Sequence, residues 1–162
     1  MTSRMIWAAR LSVHPKYSRS VRTAFTKSTM ATGPVTKATG TNTVATLPLY
    51  TLTAIIALTS LFGQVTTSIT TAGTTKLQHN PTTGTTGDLV TATDLGTTDT
   101  LAGALLSIDG VVASSIVRSV GWAVAGFAQP FLVLTPGGVE MVTATGADGA
   151  ITWYATWVPL TA

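Results

Sequence analysis

The sequence predicts an all-β protein, an antiparallel β-sandwich or barrel of about seven to nine short strands with one short helix and an extended N-terminal arm. Threonine, valine and isoleucine, which favour extended backbone, supply 56 of the 162 residues. Polar helix formers are scarce, with one Glu, four Lys and three Gln. Short apolar or alternating segments are separated by Gly, Pro, Asn and Asp, and no segment provides the crossover helices of a parallel sheet.

Charge divides the chain into a basic N-terminal part and a mildly acidic remainder. Residues 1–37 carry seven basic residues and no acid, whereas residues 38–162 carry two basic and six acidic residues. We therefore predict a basic arm over residues 1–29, a Thr/Gly/Pro linker over residues 30–43 and a β domain over residues 44–162. The arm residues predicted to bind a partner are Arg4, Arg10, Lys16, Arg19, Arg22 and Lys27.

Three interpretations of the arm stay open. It can dock on an acidic neighbouring protein through long-range attraction, with nucleic acid as a less favoured target. It can be a poorly packed extension that depends on the choice of start site, because Met30 begins MATGPVTKATG, where the composition changes. It can also be a transit peptide, because it is rich in Arg and Ser and has no acid.

The first half of the β domain shows strand patterns between turn signals. Apolar residues from Leu47 to Leu61 and the alternation from Val65 to Ile69 predict strands, with Gly63 marking a bulge or bend. Short strands are predicted over residues 74–78 and 88–92. The Asn, Pro and Gly residues between them predict a loop.

The second half begins with the one predicted helix, over residues 99–108. Asp99 can cap its start, and Leu101, Leu105 and Ile108 fall on one stripe. Strands are then predicted over 111–118, 120–126 and 131–135. The chain closes with strands over 139–145 and 151–158, which we interpret as a hairpin around a Gly-rich turn.

The aromatic residues of the C-terminal half are predicted to lie in the core or in a subunit interface. These residues are Trp122, Phe131, Trp153, Tyr154 and Trp157. A glycan or single-stranded nucleic acid could use such a platform instead. Half-exposed aromatics around a groove would favour that alternative, and burial between sheets or subunits would favour a structural role.

No arrangement of residues predicts catalysis, a metal site or a cofactor site. The two histidines, His14 and His79, have no acid nearby in sequence to orient them. The aspartates lie too far apart for a calcium loop, the Gly-rich segments lack a phosphate-binding lysine, and the chain has no cysteine. We predict that the protein is not an enzyme. Thr, Gly and Pro also interrupt the charge-free windows, which disfavours a membrane span.

Four segments together resemble small virion proteins of tailed bacteriophages. They are KLQHNPTTGTTGDLV from Lys76, the following TATDL, the segment LAGALLSIDG, and the closing GGVEMVTATGADGAITWYATWVPL. The resemblance covers residues 44–162 and leaves out the arm. It implies a Thr/Gly-rich β domain in a phage particle, as a capsid decoration (cement) protein, a head-fibre component or a tail-associated protein, with no active site.

These observations predict a non-enzymatic virion protein, first of all a head decoration protein. Thr-rich sheet faces with few Lys and Glu residues have weak protection against edge pairing, so we expect them to be buried in a homo-oligomer, with a trimer as the candidate stoichiometry. The expected heterologous partner is the major capsid protein. A tail or fibre location and a receptor- or glycan-binding module are the alternatives.

Overall fold

The computed structural model describes residues 33–40, 47–111, 114–120 and 131–160, and these residues form ten β-strands. The strands are β1 Val35–Ala38, β2 Leu47–Leu52, β3 Ile56–Thr67, β4 Thr74–Pro81, β5 Gly87–Asp94, β6 Leu105–Ser107, β7 Val117–Ser119, β8 Leu132–Leu134, β9 Gly137–Thr143 and β10 Ala150–Pro159. The described part of the chain is therefore all-β, as predicted, with one strand more than the upper end of the expected range.

The strands form two antiparallel sheets. The six-stranded sheet has the order β1-β10-β3-β6-β7, and β8 also pairs with β3. The four-stranded sheet has the order β2-β9-β4-β5. Within the described residues these sheets stay open, so the sandwich alternative of the prediction fits the topology and the closed barrel does not.

A single hydrophobic core containing residues of both sheets lies between them. Trp153 of β10 is fully buried, and its indole Nε1 lies 3.2 Å from Met141 Sδ of β9 in the other sheet. Tyr50 of β2 donates a 2.8 Å hydrogen bond from its hydroxyl to the carbonyl oxygen of Trp153. The buried tryptophan therefore fixes the two sheets to each other through its side chain and its backbone.

Gly63 makes room for the Trp153 ring. The two residues are partners in the antiparallel register of β3 and β10. A Cβ atom at Gly63 would lie 2.9 Å from Ile151 Cγ2 and 3.1 Å from Trp153 Cε3, closer than ordinary packing allows. The expected bulge at Gly63 is absent; the nearest irregularities in this pair lie between Ala150 and Ile151 and between Thr156 and Trp157.

The predicted helix over residues 99–108 is wrong. Thr100 instead forms an antiparallel bridge with Ile69, and the backbone N–H of Gly103 donates to Val65 O at 2.8 Å. Gly103 has φ +90°, and β6 then pairs with β3. Backbone groups that already bond to a neighbouring strand are not available for a short helix, which would gain few hydrogen bonds for its nucleation cost.

The predicted C-terminal hairpin is also wrong, although both of its strands exist. β9 pairs with β2 and β4, whereas β10 pairs with β1 and β3 in the other sheet. The Gly-rich turn therefore carries the chain from one sheet to the other. Both strands direct apolar side chains into the core. Trp153 and Met141 contact each other across the core, from opposite sheets, and are not neighbours within one sheet.

One other predicted segment, the linker, contains a strand that the sequence analysis did not expect. β1 lies inside residues 30–43, the predicted linker, and it adds to the edge of the six-stranded sheet beside β10. The predicted strand over 120–126 falls almost entirely outside the described residues, as does the whole arm of residues 1–29. The loop predicted between the strands over 74–78 and 88–92 is present and joins β4 to β5 as a hairpin connection.

Several connections between the sheets meet at one end, which we call the crossover end (residues 39–40, 68–73, 94–104 and 144–149). The carboxylate of Asp148 accepts hydrogen bonds from the backbone N–H groups of Thr70 and Thr71, each at 2.8 Å. The carboxylate of Asp94 accepts bonds from the N–H groups of Gly96 at 2.9 Å and Gly73 at 3.4 Å. Two aspartates therefore join three of the connections.

Candidate interaction face

The outer surface of the six-stranded sheet carries no charged side chain at its paired positions, and we call it the uncharged face. Cross-strand register identifies its members, because residues directly opposite each other share one side of a sheet. They are Thr36, Thr152, Gln64, Leu105 and Ser119 in one row, Tyr154, Phe62, Ser107 and Val117 in the next, then Thr156 with Ser60, and Val158, Ala57 and Val133. This surface is the candidate functional site.

Pairs of threonine hydroxyls bond to each other across the strands of this face. Thr36 Oγ1 and Thr152 Oγ1 lie 2.6 Å apart, and Thr59, at the register shift between Ser60 and Leu58, places its Oγ1 2.9 Å from Thr156 Oγ1. A hydroxyl that already forms a hydrogen bond with a neighbouring hydroxyl loses fewer hydrogen bonds to water when a partner protein covers it. Its desolvation therefore costs less free energy than that of a charged group. The threonine-rich composition thus gives a polar surface that can be desolvated.

An aromatic pair occupies the middle of the uncharged face. The rings of Phe62 and Tyr154 stack with centroids 5.0 Å apart and an interplanar angle of 9°. The Tyr154 hydroxyl lies 3.4 Å from Gln64 Oε1, and both rings are half-buried. Each ring therefore uses one side to contact the other.

Apolar side chains remain exposed at both ends of the uncharged face. Val117 is 52% exposed on β7, Val133 is 55% exposed on β8 and Val158 is 38% exposed on β10. Isolated exposed apolar residues are common on proteins, but these lie on one sheet surface that lacks charge. That combination is typical of a surface that contacts another protein.

The outer surface of the four-stranded sheet is different, and we call it the charged face. Glu140 is buried there and accepts hydrogen bonds from Gln78 Nε2 at 2.9 Å and Asn80 Nδ2 at 3.1 Å. Lys76 Nζ lies 2.6 Å from Asp88 Oδ1, the ion pair found among the described residues. The charged and amide groups of the charged face therefore bond to one another within the chain.

The predicted aromatic residues lie at separate places. Trp153 faces the core, while Tyr154 lies on the uncharged face with Phe62, a residue that the sequence analysis missed. Trp157 is partly buried against the core, and Phe131 is 48% exposed. Trp122 and the arm residues Arg4, Arg10, Lys16, Arg19, Arg22 and Lys27 lie outside the described residues. The register between two strands that are distant in sequence pairs Phe62 with Tyr154. No local sequence pattern predicts this pairing.

His79, one of the two histidines considered for catalysis, has structural partners, and His14 lies outside the described residues. The ring of His79 contacts the carbonyl oxygen of Gly138 through Nδ1 at 3.1 Å and the hydroxyl of Thr135 through Nε2 at 3.4 Å. Neither partner is a carboxylate. Within the described ranges, no three His, Cys, Asp or Glu residues come together as a metal site.

Hydrogen bonds hold the pKa values of the loop aspartates low. The Thr70 hydroxyl, followed by the N–H groups of Thr71 and Thr70, lowers the pKa of Asp148 to about 2. The Thr97 hydroxyl and the N–H groups of Thr97 and Gly96 hold the pKa of Asp94 well below its usual range. Asp109 has a lowered pKa because the Ser114 hydroxyl bonds to it. These carboxylates stabilise loops in their ionised form.

Burial raises the pKa of Tyr50 to about 12, with the charge of Tyr154 as a smaller cause. Its hydroxyl therefore remains a hydrogen-bond donor at neutral pH.

No helix among the described residues is long and apolar enough to cross a membrane. No family model, curated protein or solved structure matches the chain.

Proposed function

We propose that this chain is a non-enzymatic structural protein of a tailed-phage virion, specifically a head decoration protein that works as a homo-oligomer. The observation that carries the proposal is the uncharged face, on which hydroxyls, one aromatic pair and exposed valines occur without a charged group. Such a face can be buried against a second copy without desolvating a charge and without like-charge repulsion.

The size of the uncharged face is compatible with an interface. It is five strands wide, which corresponds to roughly 20 Å at the usual strand spacing. The eight residues from Ala57 to Gln64 add a length of about 25 Å. The flat footprint is thus roughly 500 Å², so the uncharged face would form the centre of a contact that reaches the about 800 Å² per partner of a standard interface together with neighbouring surface.

The basic arm supplies the second part of the proposal. Residues 1–29 hold six of the nine basic residues of the chain and no acid. In the proposed particle they attract an acidic surface of the major capsid protein, while the uncharged face contacts sister copies. Attachment to the particle should therefore weaken as salt rises, because salt screens attraction between exposed charges.

Placing a lysine on the uncharged face tests the proposed self-association. In Thr156→Lys an ammonium would have to lose its water in the contact, and the oligomer should weaken by at least about tenfold in dissociation constant. Thr51→Lys is the matched control, because Thr51 is an exposed threonine on the charged face. Sedimentation velocity of the full chain over a concentration series measures both.

The wild type and the Thr51→Lys variant should sediment as the same oligomer, and the Thr156→Lys variant should shift towards the monomer. A wild-type chain that stays monomeric at every concentration overturns the proposal. Equal dissociation of the two variants assigns the contact elsewhere. Thermal melting of both variants checks that each is folded.

Electron microscopy of native particles tests the location. A gold-labelled antibody against the chain should decorate the heads of tailed phage particles, at a density that falls when the particles are washed at high salt. Label on tails or fibres instead would replace the decoration role with the tail-associated alternative. Particles that carry no label would refute the virion assignment.

A further inference from the structure

The uncharged face, which the proposed function assigns to the contact between sister copies, differs in polarity between its two ends. One end, which we call the apolar end, has Val133, Ala57 and Val158 side by side in one cross-strand row. Leu160 continues this row beyond β10. Its backbone N–H donates to the carbonyl oxygen of Ile55 at 3.0 Å, and its side chain is 50% exposed. The apolar end therefore offers several aliphatic side chains to a partner.

The opposite end of the face is mainly polar, and we call it the hydroxyl end. Its cross-strand row consists of Thr36, Thr152, Gln64, Leu105 and Ser119. Ala57 and Gln64 are seven positions apart on β3, so the rows at the two ends lie roughly 23 Å apart. Polarity therefore changes along the strands, and any contact that uses the whole face has to match its ends in one order or the other.

The uncharged face of a second copy is a better partner for this face than the charged face. In a contact with the charged face, Lys76 and Asp88 would lose water that no charged group on the other side replaces. Two uncharged faces can meet without desolvating a charge. Identical surfaces in contact are related by a two-fold axis, and such a contact closes as a dimer.

The direction of that axis decides which ends meet. For two stacked sheets with aligned strands, the axis lies in the contact plane and is either parallel or perpendicular to the strands. A parallel axis keeps each residue's position along the strands, so the apolar ends meet each other. A perpendicular axis places each apolar end on a hydroxyl end, where the hydroxyls would lose water without gaining a hydrogen bond. The parallel axis is therefore favoured.

Because the proposed function places sister copies on this face, we infer that two copies pack uncharged face against uncharged face around a two-fold axis parallel to β3, with their apolar ends in contact. β3 is the central strand in the order β1-β10-β3-β6-β7, so an axis along β3 buries the largest part of the face. This axis exchanges the two sides of β3. It places Val158 of β10 opposite the partner's Val133 of β8.

Cross-linking between single-cysteine variants tests this orientation, because the chain has no cysteine of its own. Two full-length variants, one of them carrying a purification tag, are mixed, allowed to exchange subunits and treated with a short bismaleimide. Val133→Cys mixed with Val158→Cys should give a cross-linked mixed dimer in mass spectrometry. Thr36→Cys mixed with Val158→Cys should give none, because only the perpendicular axis brings these positions together. Thr51→Cys with Val158→Cys is the control for random collision, since Thr51 lies on the charged face.

Removing the apolar character of the contact gives a second test. The double variant Val133→Thr/Val158→Thr keeps the side-chain shape but places hydroxyls in the contact, and the dissociation constant of the dimer should rise by at least about tenfold. Val142→Thr is the matched control, because Val142 lies beside Lys76 on the charged face. It should leave the dissociation constant unchanged. Sedimentation velocity measures both variants, and thermal melting confirms that each is folded.

Several results would overturn this orientation. They are a mixed dimer from Thr36→Cys and Val158→Cys, equal yields from all three mixtures, no product from any mixture of a chain that self-associates, and an unchanged dissociation constant in the double threonine variant. A wild-type trimer would refute the two-fold contact but leave the proposed homo-oligomer intact. A wild-type chain that stays monomeric would refute the proposed function as well, so the two failures are distinguishable.

Discussion

The two outer faces of this protein satisfy their polar groups in different ways. On the charged face a buried carboxylate, two amides and an ion pair bond to one another. On the uncharged face threonine hydroxyls pair across strands around two stacked rings. Covering a charge with another protein is expensive, whereas covering paired hydroxyls and rings is not. The difference indicates which face can enter a contact, although both sheets share one core.

The largest effect should come from the residue that both sheets share. Trp153→Ala removes a fully buried ring that contacts Met141 and leaves a cavity, so we expect a loss of about 3–5 kcal/mol in the free energy of unfolding. Urea denaturation measures it. Tyr154→Ala, the neighbouring position on the uncharged face, should cost less than half as much, because that ring is only half-buried. Equal losses would contradict the assignment of Trp153 to the core.

A pair of variants compares the polar groups of the two faces. Glu140→Ala leaves the amides of Gln78 and Asn80 without their acceptor, and we expect a cost of about 1–3 kcal/mol. The double variant Thr36→Val/Thr152→Val replaces both partners of a hydroxyl pair by a group of the same shape, and it should stay within about 0.5 kcal/mol of the wild type.

The same denaturation experiment measures both variants. A double-valine variant as unstable as Glu140→Ala would show that the hydroxyl pair is as important for stability as the carboxylate network. The proposed difference between the faces would then fail. Oligomer mass should be unchanged in Glu140→Ala, since that residue lies on the charged face.

The smallest of the expected effects concerns acid. The folded-state pKa of Asp148 is about 2 and that of Asp94 is also lowered, below the about 3.9 of an unfolded aspartate. Their stabilisation is therefore present above pH 4 or so and is lost as the pH falls through the folded-state values. Melting temperatures of the wild type should decline across that window, and Asp148→Asn should flatten part of the decline.

The pH dependence of self-association gives the corresponding test for the uncharged face. This face has no carboxyl, imidazole or amine among its paired residues. The oligomer should therefore keep its dissociation constant from neutral pH down to the onset of unfolding. Dissociation well before unfolding would place a titrating group in the contact.

Local patterns predicted part of this structure well and other parts poorly. The alternation around Trp153 and the strand-rich composition indicate an all-β fold with an apolar side on β10. The wrong helix over 99–108 and the wrong hairpin between β9 and β10 both involve segments whose partners lie far away in sequence, at β3 and across the core. Side-chain spacing does not contain that information.

The candidate site likewise contains residues that local patterns predict and residues that only strand pairing identifies. Tyr154 could be selected as an aromatic residue, but its partner Phe62 depends on strand register. No sequence pattern assigns Asp94 a structural role, because the hydrogen bond that it accepts from the N–H of Gly73 joins two separate connections.

The position of β10 has a consequence for how the chain is made. It comes last among the described strands, yet it lies between β1 and β3 and carries the tryptophan at the centre of the core. While a ribosome is still adding the preceding residues, β1 has no partner and the six-stranded sheet lacks its middle. We therefore expect the body to fold only after β10 has left the ribosome, and slowly, because its pairings join distant parts of the chain.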